Sequence, residues 1–269
     1  MDKKAPIGIF DSGIGGLTLA SAVHRLLPNE QLVYFGDTAH LPYGDKSTAA
    51  IQAYSVKICN VLLSQGVKII LIACNSASSA AYDLVKAYVG SRAIVVNVID
   101  PLVDYVAENH QNQKIGLIGT KRTVSSNIYK SKIDATESGI ELVSVPTPLL
   151  APMIEEGFFK NEISHQIIAR YLENEELSNL DALILGCTHY PLIKNEIASF
   201  YKSEEVEVID SSEIVAEYLK AQLVECDLLS DDLENKHHFF VSDFTNSFQK
   251  ATEQFFGEKV NLELYKLWE

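Results

Sequence analysis

The chain has 269 residues, enough for one large domain or two modest ones, and its 47% hydrophobic content is typical of a globular protein with a substantial core. Its net charge of −14, from 22 basic and 36 acidic residues, argues against the basic surface that nucleic-acid binding requires. No apolar run is long enough for a membrane span or a signal peptide, so we expect a cytoplasmic protein with no membrane partner.

Strand-like and helix-like runs alternate from one end of the chain to the other. The runs that predict strands are 6–10, 31–36, 67–73, 93–98, 114–119, 141–145, 182–186, 206–209 and 236–242. The runs that predict helices are 17–27, 47–65, 77–89, 123–136, 149–156, 161–175, 191–200 and 245–256. This repetition predicts an α/β fold of mostly parallel sheets with helices on both faces.

Two polar breaks interrupt the alternation. Asp100-Pro101 follows the strand at 93–98, and Asp210-Ser211-Ser212 follows the strand at 206–209. We place domain boundaries near both breaks. The acidic stretch 227–235 predicts a solvated loop.

The two parts of the chain repeat one arrangement. The apolar run 67–73 leads into Cys74-Asn75-Ser76-Ala77, and 182–186 leads into Cys187-Thr188-His189-Tyr190. Continuous apolar runs are typical of strands buried on both faces. The two cysteines are separated by about the length of one small domain. We therefore expect two similar domains that face each other, with the active site between them and one cysteine from each.

Four polar loops follow predicted strands, at 11–16, 36–44, 74–77 and 187–190. Ligands of parallel sheets bind beyond the carboxyl ends of the strands, and helix starts there favour anionic groups. The glycine loop does not match a dinucleotide pattern, because Thr18 stands where a third glycine is needed. The stretch 44–47 is not a phosphate loop, because Asp45 separates the glycine from the lysine. A carboxylate ligand fits these loops better than a nucleotide does.

The four cysteines form no CxxC pair, which predicts free thiols. Cys59 and Cys226 are interpreted as structural. Cys74 and Cys187 are stronger candidates for chemistry, because each lies at a strand end beside a helix start that is expected to lower the thiol pKa. The sequence shows no cluster of metal ligands, and we expect no metal site.

Taken singly, other candidate residues have structural interpretations: Asp11 as a helix cap, Tyr43 as a turn residue and Glu155 as a solvated helix charge. Cys187 with His189 is also compatible with a cysteine-dependent hydrolase. A binding protein of the two-domain periplasmic type is a third possibility, against which the lack of a signal peptide weighs. The matched second thiol, Cys74, weighs against the hydrolase, which needs one cysteine only.

Four motifs in order carry a family resemblance: DSGIGGL at 11–17, DTAHLPYG at 37–44, CNSAS at 74–78 and GCTHYP at 186–191. They resemble the signatures of glutamate racemases, in the aspartate/glutamate racemase family, and the resemblance covers essentially the whole chain. It implies a two-domain enzyme that uses no cofactor, makes D-glutamate for peptidoglycan and forms a homodimer. It also implies a first domain built from both chain ends, 1–98 plus 211–269, and an inserted domain, 99–210.

The resemblance assigns roles to individual residues. Cys74 and Cys187 match the acid/base pair, Asp11 and His189 match residues that assist it, and Glu155 is a weaker match of the same kind. The residues that match the substrate-binding positions are Asp11, Ser12, Tyr43, Gly44, Asn75, Ser76, Thr188 and His189, with Thr120 as an added contact. Ser76 departs from the family's usual threonine but keeps the hydroxyl.

Two thiols suit this reaction because racemisation removes a proton from one face of Cα and delivers another to the opposite face. One cysteine must start as thiolate and the other as thiol, with the roles reversed for the other enantiomer. Aspartate is the alternative substrate. Thr188-His189 directly after Cys187 resembles glutamate racemases, whereas aspartate racemases more often carry an acidic residue after the Cys-Thr pair, so the resemblance favours glutamate.

Overall fold

A computed structural model describes residues 1–201, 206–231 and 236–269. The strands of this part of the chain are β1 Ile7–Asp11, β2 Leu32–Gly36, β3 Ile69–Ile72, β4 Ile94–Asn97, β5 Lys114–Gly119, β6 Glu141–Pro146, β7 Ala182–Gly186, β8 Glu207–Asp210, β9 His238–Val241 and β10 Leu262–Leu264. Its α-helices are α1 Leu17–Leu26, α2 Thr48–Ser64, α3 Asn75–Val89, α4 Ile99–Asn109, α5 Lys121–Ser125, α6 Ile128–Ala135, α7 Leu150–Glu155, α8 Glu162–Leu172, α9 Lys194–Phe200, α10 Ser211–Glu225 and α11 Asn246–Phe256.

The strands form two parallel sheets. The larger has the order β10-β9-β2-β1-β3-β4, and the smaller has the order β6-β5-β7-β8. Every pairing within both sheets is parallel. The predicted α/β fold with two helix-flanked sheets is therefore confirmed. Because the six-stranded sheet draws its strands from both parts of the chain outside 99–210, it supports the proposed domain boundaries, which stay a prediction.

The buried strands explain how the sheets are held. In β3, Ile69 and Leu71 belong to one buried apolar cluster, while Ile70 and Ile72 belong to a second on the opposite face. This alternation follows from the two-residue period of a strand. The first cluster continues into the four-stranded sheet, where it includes Ile184 of β7. The two sheets thus share one apolar core, which fixes the loops at their facing carboxyl ends.

The polar breaks of the sequence are helix starts. Asp210 caps α10 by accepting a hydrogen bond from the Ser212 amide at 3.1 Å, and Asp100 lies in the first turn of α4. Aspartate, serine and proline are common both at helix starts and in turns, which is why neither helix was predicted.

Two further differences concern single elements. The predicted helix 123–136 is divided into α5 and α6 at Asn127, whose φ is +54°. Strand β10 was not predicted.

Of the predicted loop 227–235, residues 232–235 lie outside the described part of the chain. Within that part, no helix combines the length and apolarity needed to cross a membrane.

Candidate active site

Cys74 lies where β3 ends, and it caps α3. Its Sγ accepts a hydrogen bond from the Ala77 amide at 3.4 Å and lies 3.7 Å from the hydroxyl oxygen of Ser12, to which the thiol donates. Burial and the nearby Asp11 carboxylate raise the pKa of the Cys74 thiol to about 12, and the helix amide lowers it by less. The expectation of a lowered pKa is thus wrong for Cys74, which is a thiol at neutral pH.

Cys187 follows β7 and has a buried histidine beside it. The Nδ1 atom of His189 lies 3.6 Å from the Cys187 Sγ, and its Nε2 lies 2.8 Å from Oε1 of Glu155, the last residue of α7. Burial alone lowers the pKa of His189. The hydrogen bonds to Cys187 and Glu155, and the negative charges of both, outweigh burial and raise that pKa well above its ordinary value. A protonated ring donates from both nitrogens, so it can hold a thiolate and a carboxylate at once.

Asp11, at the end of β1, organises the glycine loop. Its buried carboxylate accepts hydrogen bonds from the amides of Gly13 at 3.2 Å and Gly16 at 3.0 Å. Burial raises the pKa of Asp11, whereas the His189 charge and the loop amides lower it, and the net shift is upward. Asp11 also lies 3.5 Å from the Thr188 hydroxyl. It therefore connects the loop after β1 to the loop after β7.

Gly15 lets these two loops touch. A Cβ at Gly15 would lie 2.4 Å from Cε1 of His189 and 2.7 Å from Oγ1 of Thr188, closer than side-chain atoms approach. The hydroxyl of Thr18 donates to the carbonyl of Thr188 at 2.9 Å. The glycine loop is thus a docking surface for Thr188 and His189 rather than a nucleotide cradle.

On the opposite side of the cleft, the start of α5 contacts both α3 and the segment 43–46. The hydroxyls of Ser76 and Thr120 are 2.9 Å apart. A Cβ at Gly44 would lie 2.8 Å from Cβ of Thr120, so glycine permits this approach. Arg122 donates from Nη2 to the carbonyl of Lys46 at 2.8 Å. The two sheets are therefore joined on both sides of the thiols.

Tyr43 is positioned by a carboxylate that sequence reasoning did not single out. Asp37 accepts hydrogen bonds from the hydroxyls of Tyr43 and Ser242, both at 2.7 Å, and from Nε1 of Trp268 at 2.8 Å. The Tyr43 hydroxyl is therefore directed to Asp37. Asp37 stands inside one of the quoted motifs, but no sequence signal connects it to Trp268.

Nearly all the predicted site residues line a single cleft between the two sheets. Those present are Ser12, Tyr43, Gly44, Cys74, Asn75, Ser76, Thr120, Glu155, Cys187, Thr188 and His189. Asp11 is fully buried and contacts Thr188 of this lining. Among the described side chains that line the cleft, His189 alone can carry a positive charge and Glu155 is the single carboxylate. The cleft therefore offers mostly neutral donors and two thiols, one from each sheet.

Comparison with known proteins agrees with this geometry. Residues 17–219 match the family model described as Asp/Glu/Hydantoin racemase. The glutamate racemase of Chlorobium phaeobacteroides is 39% identical over 94% of this chain and 92% of its own length. The glutamate racemase of Geobacter metallireducens is 38% identical over 94% of this chain and 93% of its own length.

A solved structure extends the similarity to three dimensions. The crystal structure of the Francisella tularensis glutamate racemase in complex with D-glutamate has a TM-score of 0.92, with 38% identity and 99% of each chain covered. The resemblance inferred from the motifs is confirmed. The chain therefore belongs to the aspartate/glutamate racemase family and is an amino-acid racemase, an isomerase whose relatives at this similarity are glutamate racemases.

Proposed function

We propose that the enzyme interconverts L- and D-glutamate by proton transfer between Cys74 and Cys187, without a cofactor. The observation that carries the proposal is that these two thiols, from the ends of β3 and β7, line the same cleft. A base and an acid from opposite sheets suit a substrate whose Cα lies between them. Each can then serve one face of that carbon.

The two thiols differ in their surroundings, which sets their starting roles. Cys187 as thiolate accepts the proton from Cα, and the bonding electrons stay on the substrate as a carbanion. Cys74, whose pKa is raised, then gives its thiol proton to the opposite face of Cα. The products are the other enantiomer, Cys187 thiol and Cys74 thiolate. The reverse reaction follows the same steps backward.

His189 and Glu155 support the first half of this exchange. The protonated ring of His189 faces the Cys187 Sγ at 3.6 Å and stabilises a negative charge there. Glu155, 2.8 Å from the other ring nitrogen, holds the ring in that orientation. Asp11 fixes the loop against which His189 packs. These three residues act on the thiol, whereas the two cysteines touch the reacting carbon.

The carbanion is the costly species, because no cofactor delocalises its charge. Fixed hydrogen-bond donors in a water-poor cleft supply the stabilisation. Asn75, Ser76 and Thr188 are buried residues of the lining that offer such donors to the substrate carboxylates. Their loops are held by contacts between the sheets, so little reorganisation accompanies the reaction.

Glutamate is the proposed substrate because the Francisella tularensis structure, at 38% identity, contains D-glutamate. Family membership further supports three proposals: that the product enters peptidoglycan synthesis, that the enzyme acts in the cytoplasm and that it is a homodimer. The proposed domains are 1–98 plus 211–269 and the inserted 99–210.

The decisive experiment incubates purified enzyme with L- or D-glutamate in deuterated water. Deuterium is expected to enter Cα of each enantiomer while the optical activity decays to zero, without any added cofactor. Racemisation that occurs only after a cofactor is supplied would refute the mechanism. Absence of exchange at Cα with either enantiomer would refute the proposed substrate.

A further inference from the structure

Asn75 and Tyr129 form a hydrogen bond between two helices that flank different sheets. The Tyr129 hydroxyl, on α6, donates to Oδ1 of Asn75, in the first turn of α3, at 2.6 Å. Both residues are buried: Tyr129 is 1% exposed and Asn75 is 2% exposed. Asn75 lines the cleft, whereas Tyr129 lies behind it. The tyrosine therefore contacts the site through the asparagine side chain.

This bond leaves one end of the amide available. Because Oδ1 is held by Tyr129, Nδ2 points elsewhere, and this buried nitrogen has no hydrogen-bond partner among the described residues. Buried donors in folded proteins are nearly always paired. A donor left unpaired in the lining of a cleft is therefore suited to an acceptor on a ligand.

We infer that Tyr129 is a positioning residue: its hydroxyl fixes the Asn75 amide so that Nδ2 donates to a carboxylate of the substrate. The identity of that substrate rests on the proposed function. Because Tyr129 and Asn75 belong to helices that flank different sheets, the same bond makes substrate affinity depend on how closely the sheets approach. An open arrangement would release the amide and lose the oriented donor.

The alternative is that Tyr129 only fills the core. Its ring does lie in the apolar cluster that joins the sheets. Burial raises the pKa of Tyr129, with the charges of Asp100 and Cys187 adding to the effect, so the hydroxyl keeps its proton over the working pH range. A core role depends on the ring alone, whereas positioning depends on the hydroxyl and on Asn75. The two interpretations can therefore be separated by a double-mutant cycle.

The cycle comprises Tyr129→Phe, Asn75→Ala and the double variant, with KM and kcat measured for both enantiomers of glutamate. Tyr129→Phe keeps the ring and is expected to raise KM about tenfold while kcat changes by less than about threefold. In the Asn75→Ala background the same change is expected to leave KM unaltered, because the hydroxyl then has nothing to orient. Tyr201→Phe is the matched control, since the buried Tyr201 hydroxyl has no partner among the described residues.

Two results would overturn the inference: an unchanged KM in Tyr129→Phe, or an equal rise in KM with and without Asn75. If Tyr129→Phe fails to fold, Asn75→Asp decides. It keeps an acceptor for Tyr129 but replaces the donor by an oxygen, so a KM equal to that of the unmodified enzyme contradicts the assigned orientation. An unmodified enzyme that racemises aspartate and not glutamate would refute the proposed function alone. The same cycle run with aspartate would still decide the role of Tyr129.

Discussion

Glu155 and His189 form a hydrogen-bonded pair behind one of the two thiols. Their 2.8 Å hydrogen bond occupies Nε2 of the ring and directs Nδ1 toward Cys187, 3.6 Å away. The side chains of Glu155 and His189 are only 16% and 6% exposed, so water screens their charges weakly. Among the described residues no comparable cation acts on Cys74, and the main charged group near it is the Asp11 carboxylate. This difference in surroundings supports the proposal that the two thiols have opposite roles at the start of the reaction.

Removing the ring of His189 is expected to slow racemisation strongly. His189→Asn should lower kcat/KM about 10²-fold, because Cys187 loses the cation that stabilises its thiolate. The loss must be equal for both enantiomers, since mirror-image substrates have an equilibrium constant of one. Glu155→Gln, which keeps a hydrogen-bond acceptor for Nε2, should cost less. Initial rates followed by circular dichroism test both variants, and a larger loss in Glu155→Gln would contradict the proposed order of roles.

Each cysteine of the pair is expected to be essential. Cys74→Ser and Cys187→Ser should each lower kcat at least about 10³-fold, because a hydroxyl is far less acidic than a thiol of the same shape. Their melting temperatures should stay close to that of the unmodified enzyme. Cys226→Ser, at an exposed position outside the cleft, is the control and should retain full activity. Near-normal turnover in either of the first two variants would remove that residue from the mechanism.

The raised pKa of Cys74 predicts a particular response to pH. Its alkylation by iodoacetamide, followed by mass spectrometry in the Cys187→Ser variant, should rise about tenfold per pH unit from about pH 8 to about pH 10 without levelling. A plateau below about pH 9 would show that Cys74 ionises readily. Stability should respond as well. The unfolded chain releases this proton at the ordinary thiol pKa of 9.0, whereas in the folded chain the pKa is about 12, so folding stability should fall as the pH rises above 9.

The location of both thiols followed from the sequence, because buried parallel strands are apolar on both faces. The runs 67–73 and 182–186 predicted β3 and β7, and the cysteines follow directly from their ends. The rule that ligands bind beyond the carboxyl ends of parallel strands, applied to two domains that face each other, then predicted a shared cleft. These inferences use local patterns only, which is why they could be drawn from the sequence.

The partners of the site residues could not be predicted in this way. Trp268 reaches Asp37 across 231 positions, and Tyr129 reaches Asn75 from another helix, and no periodicity relates either pair. The pKa of Cys74 was mispredicted for a similar reason. A helix start is visible in the sequence, but the depth of burial that outweighs it depends on the packing of both sheets.

Gly15 is expected to tolerate no side chain. The Cβ of Gly15→Ala would lie 2.4 Å from the His189 ring, so the ring or the loop must move. We expect kcat/KM to fall at least about 10²-fold, because small displacements of catalytic groups are costly, with a loss of about 1–3 kcal/mol in the free energy of unfolding. Gly13→Ala is the matched control in the same loop, since its Cβ would lie 3.5 Å from Leu41, an ordinary contact. Equal effects of the two changes would mean that the close approach to His189 is unimportant.

The choice between glutamate and aspartate depends on the reach of the distal carboxylate. With the α-carboxylate and Cα held between the thiols, the carboxylate of glutamate extends one methylene further than that of aspartate. Neutral donors in the lining, including Nδ2 of Asn75, are expected to meet both carboxylates, because the described residues of the lining include no lysine or arginine. A shorter substrate therefore leaves a buried donor unpaired, which costs about 1–3 kcal/mol for each such group.

Aspartate should also sit loosely between the two thiols, which lowers the rate further because proton transfer needs close alignment. We expect kcat/KM for glutamate to exceed that for aspartate at least about 10²-fold. The measurement is kcat/KM for both enantiomers of both amino acids, with the Asn75→Ala variant alongside. If Asn75 binds the distal carboxylate, Asn75→Ala should lower the ratio of kcat/KM for glutamate to kcat/KM for aspartate. If Asn75 binds the α-carboxylate, kcat/KM should fall by the same factor for both amino acids. Comparable kcat/KM values for the two amino acids in the unmodified enzyme would instead favour an aspartate racemase. They would show that the site has no donor placed to bind the γ-carboxylate of glutamate in particular.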